Sequence, residues 1–447
     1  MRLLLVGAFP YPQSHGSQIY FQEQAIALRS LGAEISLLTY GSGKSPRSAD
    51  RTEDDDNADN DPERKGRAGR EAEVAEHWRA LDGFDHLVSP KWTAPSSLRS
   101  GPSWAKPLAD LGLAMTLRNA IASRSRHNAY DAILTHNAEA TLAALQALPR
   151  RRPAILYCAH TLLGKELSAY LKGPKTNHFL DRFGMTQETG RVARGLDRLG
   201  RRIDRRLASG SDGWISLTQS SERVMRQFSN APGALIPPAV PDPRAGSLAM
   251  DPKATAQRHG LEPGRFLLYS GNLDAYQELD ILAAAARIRP GAKGGRQGRV
   301  RLVIASHSAR RVAGWTDATP EVDFIRVESS AEMQALLASA RASLLMRRAE
   351  GGFPIKLVNS LAVGTPVIAF HGSEWGLEHE RNALICSSAR PAESMATAID
   401  RLDADDALAA RLASGARDLY LRRHQPEPAA RQVLALVDEI CRSHGRR

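Results

Sequence analysis

RLLLVGAF, the first apolar run of the chain, gives way to a polar loop, PYPQSHGSQ, and then to YFQEQAIALRSLG, whose apolar positions recur at helical spacing until Gly32 closes the helix. AEISLLTYG reads as a second strand. Strand, loop, helix and strand in one short span make a βαβ unit, and right-handed crossover geometry sets its two strands parallel. The first lobe is therefore expected to be a doubly wound α/β domain. Further on come YDAILTHN and PAILYCAH, two apolar runs that carry His136 and His160 at their ends, and then GWISLTQSS, a strand leading into a capped helix. Polar residues at the carboxyl ends of such strands stand where α/β sheets bind ligands.

A chain of 447 residues is too long for one comfortable core, and the same pattern begins again in the second half. RFLLYSGNL, ELDILAAAARI, RLVIAS, DFIRVES, AEMQALLASA, ASLLMR, IKLVNSLAVG and TPVIAF read as a second doubly wound α/β lobe. Between the lobes IPPAVPDPRAG, residues 236–246, is proline-rich and lacks periodicity. It is expected to link an N-terminal domain, residues 1–235, to a C-terminal domain, residues 247–447. Two final helical stretches, DALAARLASGARDLYLRRH and PAARQVLALVDEICRS, can reach back over the first lobe. Residues 41–73 break the pattern: they have almost nothing apolar and carry blocks of like charge. Burial cannot offset the entropy of ordering them, so a mobile surface insertion is expected.

The formal charge of +11 favours anionic partners: nucleic acid, anionic lipid or phosphate-bearing small molecules. The basic residues are mostly arginines along predicted helices, as in residues 191–208, with no interleaved aromatics and no nucleic-acid-binding motif. Nucleic acid is set aside, and that stretch reads as a solvated helix face. No apolar run approaches the ~20 residues of a membrane-spanning helix, and LLLVGAFP is too short for a signal-peptide core, so a cytoplasmic location is expected. Cys158, Cys386 and Cys441 are too scattered for metal-ligand spacing or a disulfide framework.

LLMRRAEGGFPIKLVNSLAVGTPVIA, residues 344–369, holds the most chemistry. It resembles the donor-binding signature of the retaining family-4 glycosyltransferases, in the subset that reads arginine, a short loop, Gly-Phe-Pro-Ile-Lys-Leu and then Ala-x-Gly-x-Pro-Val. Three other stretches are similar in the same order. HGSQ, with Gly16, resembles the family's first acceptor-side loop; CAHTLLGKEL matches the place of an active-site histidine, here His160; and Gly271-Asn272-Leu273 followed by Tyr276-Gln277 resembles the Gly-Asn loop that opens the donor lobe. The likeness covers most of the chain outside residues ~45–90. It implies the GT-B fold, two Rossmann-like domains facing a cleft, and a hexosyltransferase. The nucleotide sugar, UDP- or GDP-linked, is its substrate, with no cofactor and no metal.

The residues themselves support those roles. A strand ending at Met346 turns through Glu350, Gly351 and Gly352 into a helix beginning near Pro354, and proline suits a first helical turn because the N–H it lacks would be unpaired there. Free amides and roughly half a positive charge at that helix start favour a diphosphate, and the glycines let backbone approach it. Lys356 and either Arg347 or Arg348 can neutralise the phosphates as the sugar departs. Phe353 and Ile355 complete the donor-binding set by resemblance.

Two departures matter. Relatives commonly carry two glutamates around this loop, one at the sugar and one at the ribose; alignment on Phe353-Pro354 puts Gly351 and Asn359 there, with Glu350 one residue off. A one-residue slip brings Glu350 to the sugar, and the Asn359 amide can hydrogen-bond ribose hydroxyls. Tyr276-Gln277-Glu278 stands where many relatives have arginine and lysine, which shifts the phosphates onto Arg347, Arg348 and Lys356. The likeness further implies retention at the anomeric carbon, the leaving phosphate taking the acceptor's proton on the same face while His160 orients the donor sugar.

Each residue has a plainer alternative. His160 can be a buried, hydrogen-bonded histidine, and His136, placed on the acceptor side, is recommended only by its strand-end position. Glu166 either contacts the acceptor or caps a local turn. Gly16 and Gly271 serve close backbone approach or an ordinary tight turn. Residues 91–126 mix Trp92 and Trp104 with Lys, Arg and an apolar helix, a composition suited to an anionic membrane surface, or to an amphipathic helix packed on the first lobe. The expected function is transfer to a glycan or lipid-linked acceptor in cell-surface polysaccharide or glycolipid synthesis, peripheral on the inner face of the membrane. The alternatives are a GT-B nucleotide-sugar epimerase, which would need carboxylates at the sugar, and a non-catalytic nucleotide-binding relative, which the displaced Glu350 keeps open.

Overall fold

The computed structural model describes residues 1–11, 16–41, 82–93, 106–149, 151–164, 189–246, 248–271, 273, 277–289, 300–306, 322–348 and 352–444. β1 (Arg2–Pro10) is apolar almost throughout and buried from Leu3 onward, as befits a central strand of a parallel sheet covered on both faces. α1 (Gly16–Ser30) returns along it, and β2 (Glu34–Tyr40) pairs with it in parallel, Leu3 opposite Ile35 and Leu5 opposite Leu37. The lobe continues through β3 (Asp85–Val88), α2 (Lys106–Ala122), β4 (Ala132–His136), α3 (Asn137–Ala147), β5 (Ala154–Ala159), α4 (Thr189–Gly210), β6 (Gly213–Ser216), α5 (Gln219–Phe228) and β7 (Gly233–Leu235). Its seven strands lie in the order β3-β2-β1-β4-β5-β6-β7, all parallel. α2, α3, α4 and α5 cover one face of this sheet.

The second lobe runs through α6 (Pro252–Arg258), β8 (Phe266–Ser270), α7 (Asp280–Ile288), β9 (Arg301–Ser306), β10 (Val322–Arg326), α8 (Ser330–Ser339), β11 (Ala342–Leu345), α9 (Ile355–Ala362), β12 (Val367–Ala369), β13 (Ala383–Ile385) and α10 (Pro391–Ala404). Its six strands lie in the order β10-β9-β8-β11-β12-β13, again all parallel. Two Rossmann-like lobes of this kind make the GT-B arrangement expected from the sequence. In each sheet the strand order reverses beside the lobe's first strand, between β1 and β4 and between β8 and β11. Open α/β sheets take ligands in the crevices at those reversals.

Residues 236–246 carry no helix or strand and are held by α11 (Asp406–Arg423) and the turn after it. Arg417 donates to both oxygens of Asp242 at 2.8 and 2.5 Å and to the Ala362 carbonyl at 2.6 Å; the Tyr420 hydroxyl donates to the Val240 carbonyl at 2.9 Å. α12 (Pro426–His444) then crosses to the first lobe, packing on α1 and under β5 and β6. Its Val433, Leu436, Val437 and Ile440 join one apolar cluster with β1 and α1 of the first lobe and with α9 of the second. His444 ends the helix against Asp212, at 3.0 Å, and the Arg152 carbonyl, at 2.8 Å.

Two boundaries differ from the sequence reading. α1 begins at Gly16, not after Gln18, because the Gln18 amide donates to the Pro10 carbonyl at 2.8 Å and folds the first helical turn back onto the strand it follows. α9 begins at Ile355, with Pro354 in an extended conformation (φ −79°, ψ 109°) as the capping residue outside it. Apart from Gly41, the charged insertion expected over residues 41–73 lies outside the described residues. No helix among the described residues is long and apolar enough to cross a membrane.

Candidate active site

The second-lobe half of the site forms at the β8/β11 reversal. β8 ends at Ser270, and Gly271 follows with φ 128°, a conformation that favours glycine; a β-carbon there would stand 3.7 Å from the Lys356 nitrogen. Lys356 lies in the first turn of α9. Its ammonium donates to Gln277 Oε1 at 2.9 Å and sits 4.2 Å from the centre of the Tyr269 ring. It has no carboxylate partner among the described residues, and burial followed by the charge of Arg347 lowers its pKa to about 7. Arg348 is engaged differently. Glu278 accepts its backbone N–H at 2.9 Å and its guanidinium at 3.0 and 2.5 Å, while His371 Nε2 donates to its carbonyl. Glu278 itself sits at φ 51° to make this clasp.

The first-lobe half forms at the β1/β4 reversal. Register pairs His136, the last residue of β4, with Cys158 of β5, so His160, two residues on, falls on the same side of the sheet as His136. The two rings are hydrogen-bonded, His136 Nδ1 to His160 Nε2, at 2.9 Å. Tyr20 and Phe21 of α1 enclose them, with ring centres 5.1 Å from His160 for Tyr20 and 4.9 Å from His136 for Phe21. His136 is fully buried. Burial drives the pKa of His160 down to about 3, and burial followed by the neighbouring His160 holds His136 well below its ordinary value, so both rings are neutral.

Glycines bring the halves into contact. A β-carbon on Gly352 would stand 2.7 Å from the His160 carbonyl oxygen and 2.7 Å from Thr161 Cγ2, and one on Gly16 would stand 3.2 Å from Ile355 Cγ1. The start of α1 therefore faces the start of α9, and the loop before α9 rests on the strand end that carries His160.

Of the residues singled out in the sequence, the structure brings Gly16, His136, His160, Gly271, Arg347, Gly352, Ile355 and Lys356 to this junction. Four expectations are adjusted. Arg348 is bound to Glu278, which leaves Arg347 as the arginine acting on Lys356. His136, buried behind His160, is not open to an acceptor in this conformation. Phe353 is a core side chain, its ring 6.4 Å from Trp375 and 5.4 Å from His424, and Ile355 is also buried; what they supply is the placement of the backbone around Pro354. Asn359 lies one turn along α9, half-buried. Asn272, Glu350, Gly351 and Glu166 lie outside the described residues. Sequence reasoning missed Tyr269 beneath the lysine and the Tyr20–Phe21 enclosure. It registered Gln277 and Glu278 only as departures from a pattern, although an amide and a carboxylate where cations are usual signal partners for Lys356 and Arg348.

Residues 15–239 match the family model described as a glycosyl transferase 4-like domain, and residues 264–405 match the one described as glycosyl transferases group 1. The chain belongs to this glycosyltransferase family. No curated protein matches its sequence. Solved structures similar to this glycosyltransferase include sucrose-phosphate synthase from Thermosynechococcus elongatus, at 16% identity and a TM-score of 0.71, covering 99% of this chain and 100% of that one. HepE from Anabaena in complex with UDP is similar at 15% identity and a TM-score of 0.62, covering 98% and 100%. WaaG, a glycosyltransferase involved in lipopolysaccharide biosynthesis, is similar at 14% identity and a TM-score of 0.60, covering 96% and 98%. At such identities the likeness is one of fold.

Proposed function

We propose that this glycosyltransferase moves a sugar from UDP or GDP to a hydroxyl acceptor with retention at the anomeric carbon, using protein cations and no metal at the diphosphate. The observation that carries this reading is the cationic start of α9, where Lys356 stands beside the glycine turn at Gly271 and feels the charge of Arg347. A diphosphate placed against the free amides of α9 would give the part-buried Lys356 the anion it lacks. As the bond from C1 to phosphate oxygen breaks, negative charge gathers on that oxygen, and the fixed lysine and arginine stabilise it. The acceptor oxygen bonds to C1 on the same face and gives its proton to the departing phosphate, which needs no protein base. His160 orients the sugar from the facing lobe. Asn359 is assigned to the ribose, Asn272, Glu350 and Gly351 to the donor site and Glu166 to the acceptor side. Arg348, clasped by Glu278, shapes the loop. The complexes of HepE with UDP and with UDP-glucose support a nucleotide-sugar donor.

Thermal shift with UDP, GDP and their sugars tests this. A ligand at a hundred times its dissociation constant stabilises by about 2.7 kcal/mol, a clear shift, and Lys356→Ala should abolish it. A Lys356→Ala chain that is stabilised as much as the parent would remove the phosphate site from α9.

A lipid-linked acceptor at an anionic membrane is the second part of the reading, in keeping with the part WaaG plays in lipopolysaccharide biosynthesis. The supporting observation is a stripe on α2: Leu108, Leu111 and Met115 are all exposed, and Trp92 is 68% exposed nearby in sequence. α4, in the same helical layer, exposes Arg194, Arg198, Arg201, Arg202, Arg205 and Arg206. Each cation near an anionic surface contributes about 1 kcal/mol, screened over about 8 Å at physiological salt. Flotation should recover the protein with anionic vesicles at low salt and release it at high salt; equal recovery with neutral vesicles, or none at all, points to a soluble acceptor.

A further inference from the structure

The contact between His136 and His160 joins Nδ1 of one ring to Nε2 of the other, so a single proton lies between them, and the ring that owns it decides where the other protons are. If His160 donated, His136 would have to carry its own proton on Nε2. That atom is buried and has no hydrogen-bond partner among the described residues. If His136 donates, its Nε2 is instead a bare lone pair in the same place. Both arrangements leave Nε2 unpaired, one as an orphaned N–H and the other as a bare lone pair, and an orphaned buried N–H is the rarer outcome in folded proteins. The rings of Tyr20 and Phe21, centred 5.6 and 4.9 Å from that of His136, offer an N–H only a weak π acceptor. A charged pair is disfavoured by burial, which lowers the pKa of both rings.

We infer that His136 is a positioning residue: it donates from Nδ1 to Nε2 of His160 and fixes His160 as the tautomer protonated on Nδ1. The role in catalysis rests on the reading that His160 meets the donor sugar. With Nε2 already accepting and Nδ1 already protonated, His160 has no lone pair to offer and cannot serve as a general base. It can only donate, through Nδ1, to an oxygen of the sugar. The pair thus selects a donor sugar with a hydroxyl or carboxylate oxygen at that point over one presenting an ammonium group. The local fold is built around this bond. β4 runs straight into α3 without a loop, Asn137 taking φ 76° to make the turn, and the β4–β5 register sets the two histidines on one side of the sheet.

Long-range ¹H–¹⁵N correlation spectra of the full chain read the tautomers directly, with the rings assigned from His160→Asn and His136→Gln. Both rings should show a pyrrole-type Nδ1 and a pyridine-type Nε2; an N–H on Nε2 of either ring overturns the proposal. In hydrolysis of UDP-glucose and GDP-mannose, His136→Phe keeps the ring but loses the donor. Its kcat should fall about tenfold, the value of one oriented hydrogen bond, with KM for the sugar nucleotide little changed. His136→Gln, whose amide can donate to Nε2, should recover most of that loss. An unchanged kcat in a folded His136→Phe chain overturns the positioning role. Should His136→Phe not fold, the parent spectrum and the His136→Gln kinetics still decide. If the parent hydrolyses neither sugar nucleotide, the donor-sugar reading fails, while the tautomer stands or falls on the spectrum alone.

Discussion

Replacing Lys356 by methionine separates what this lysine costs the fold from what it does for a ligand. Burial and the charge of Arg347 bring its pKa from 10.5 to about 7, which corresponds to on the order of 5 kcal/mol by which the charged form is less favourable in the folded chain than in the unfolded one. Between pH 7 and 10.5 the unfolded chain holds a proton that the folded chain has released, so this group makes stability rise with pH across that window. Below pH 7 both states are protonated and the full penalty applies. Methionine removes the charge and keeps an apolar stem over the Tyr269 ring, while the Gln277 amide loses a partner at a cost of about 1 kcal/mol. Lys356→Met is therefore expected to be more stable than the parent by a few kcal/mol in urea at pH 6, with the gap nearly closed at pH 10. A bound diphosphate restores the proton. Calorimetry of UDP binding in buffers of different ionisation enthalpy should show most of a proton taken up at pH 8 and little at pH 6, and the parent's affinity should fall up to about tenfold per pH unit above 7. The variant should bind weakly with no uptake. Parallel stability curves for the two proteins, or the same proton uptake in both, would refute the assignment of Lys356 as the buried cation of a phosphate site.

Gly352→Ala places a β-carbon 2.7 Å from a backbone carbonyl of the opposite lobe, so the lobes must part; overpacking of this kind costs about 1–3 kcal/mol, and donor turnover should drop at least tenfold, while normal turnover would show that this contact is not part of the working site. Arg417→Ala removes the clasp on Asp242 and should cost about 1–3 kcal/mol near neutral pH, read by urea unfolding. Arg417 holds the Asp242 pKa below 3.8, so that difference should persist above pH 3.8 and shrink as acid protonates Asp242 in the folded chain, leaving the part due to the Ala362 carbonyl; a pH-independent difference would show that Asp242 contributes nothing to it.

The two lobes were legible because parallel strands covered on both faces are continuous apolar runs, such as LLLV in β1 and LVIA in β9, and because each run is followed by helical spacing. The turn into α9 was legible from Gly352, Pro354 and Lys356, whose chemistry is local. What escaped depends on residues distant in the chain. The choice between Arg347 and Arg348 is made by Glu278, and the enclosure of His160 is made by β4–β5 register and by two rings of α1. Phe353 and Ile355 belong to a core shared with α11 and α12, which no window around the signature contains.

That shared core bears on how the lobes work together. The chain passes between them twice, once through residues 236–246 and once through the turn from His424 to α12, and the two passages are bonded side by side. The Val240 amide donates to the His424 carbonyl at 3.2 Å, and His424 Nδ1 donates to the Pro238 carbonyl at 2.7 Å. Any change in the angle between the lobes must be absorbed by this paired crossing, because α11 is packed on α9 and α12 on α1. Phe353, its ring 5.4 Å from that of His424 in a tilted contact, ties the loop in front of Lys356 to the same crossing. A rotation there shifts the turn that carries Gly352 and Lys356 relative to His160, so opening the lobes would break the Gly352 contact and closing them would restore it.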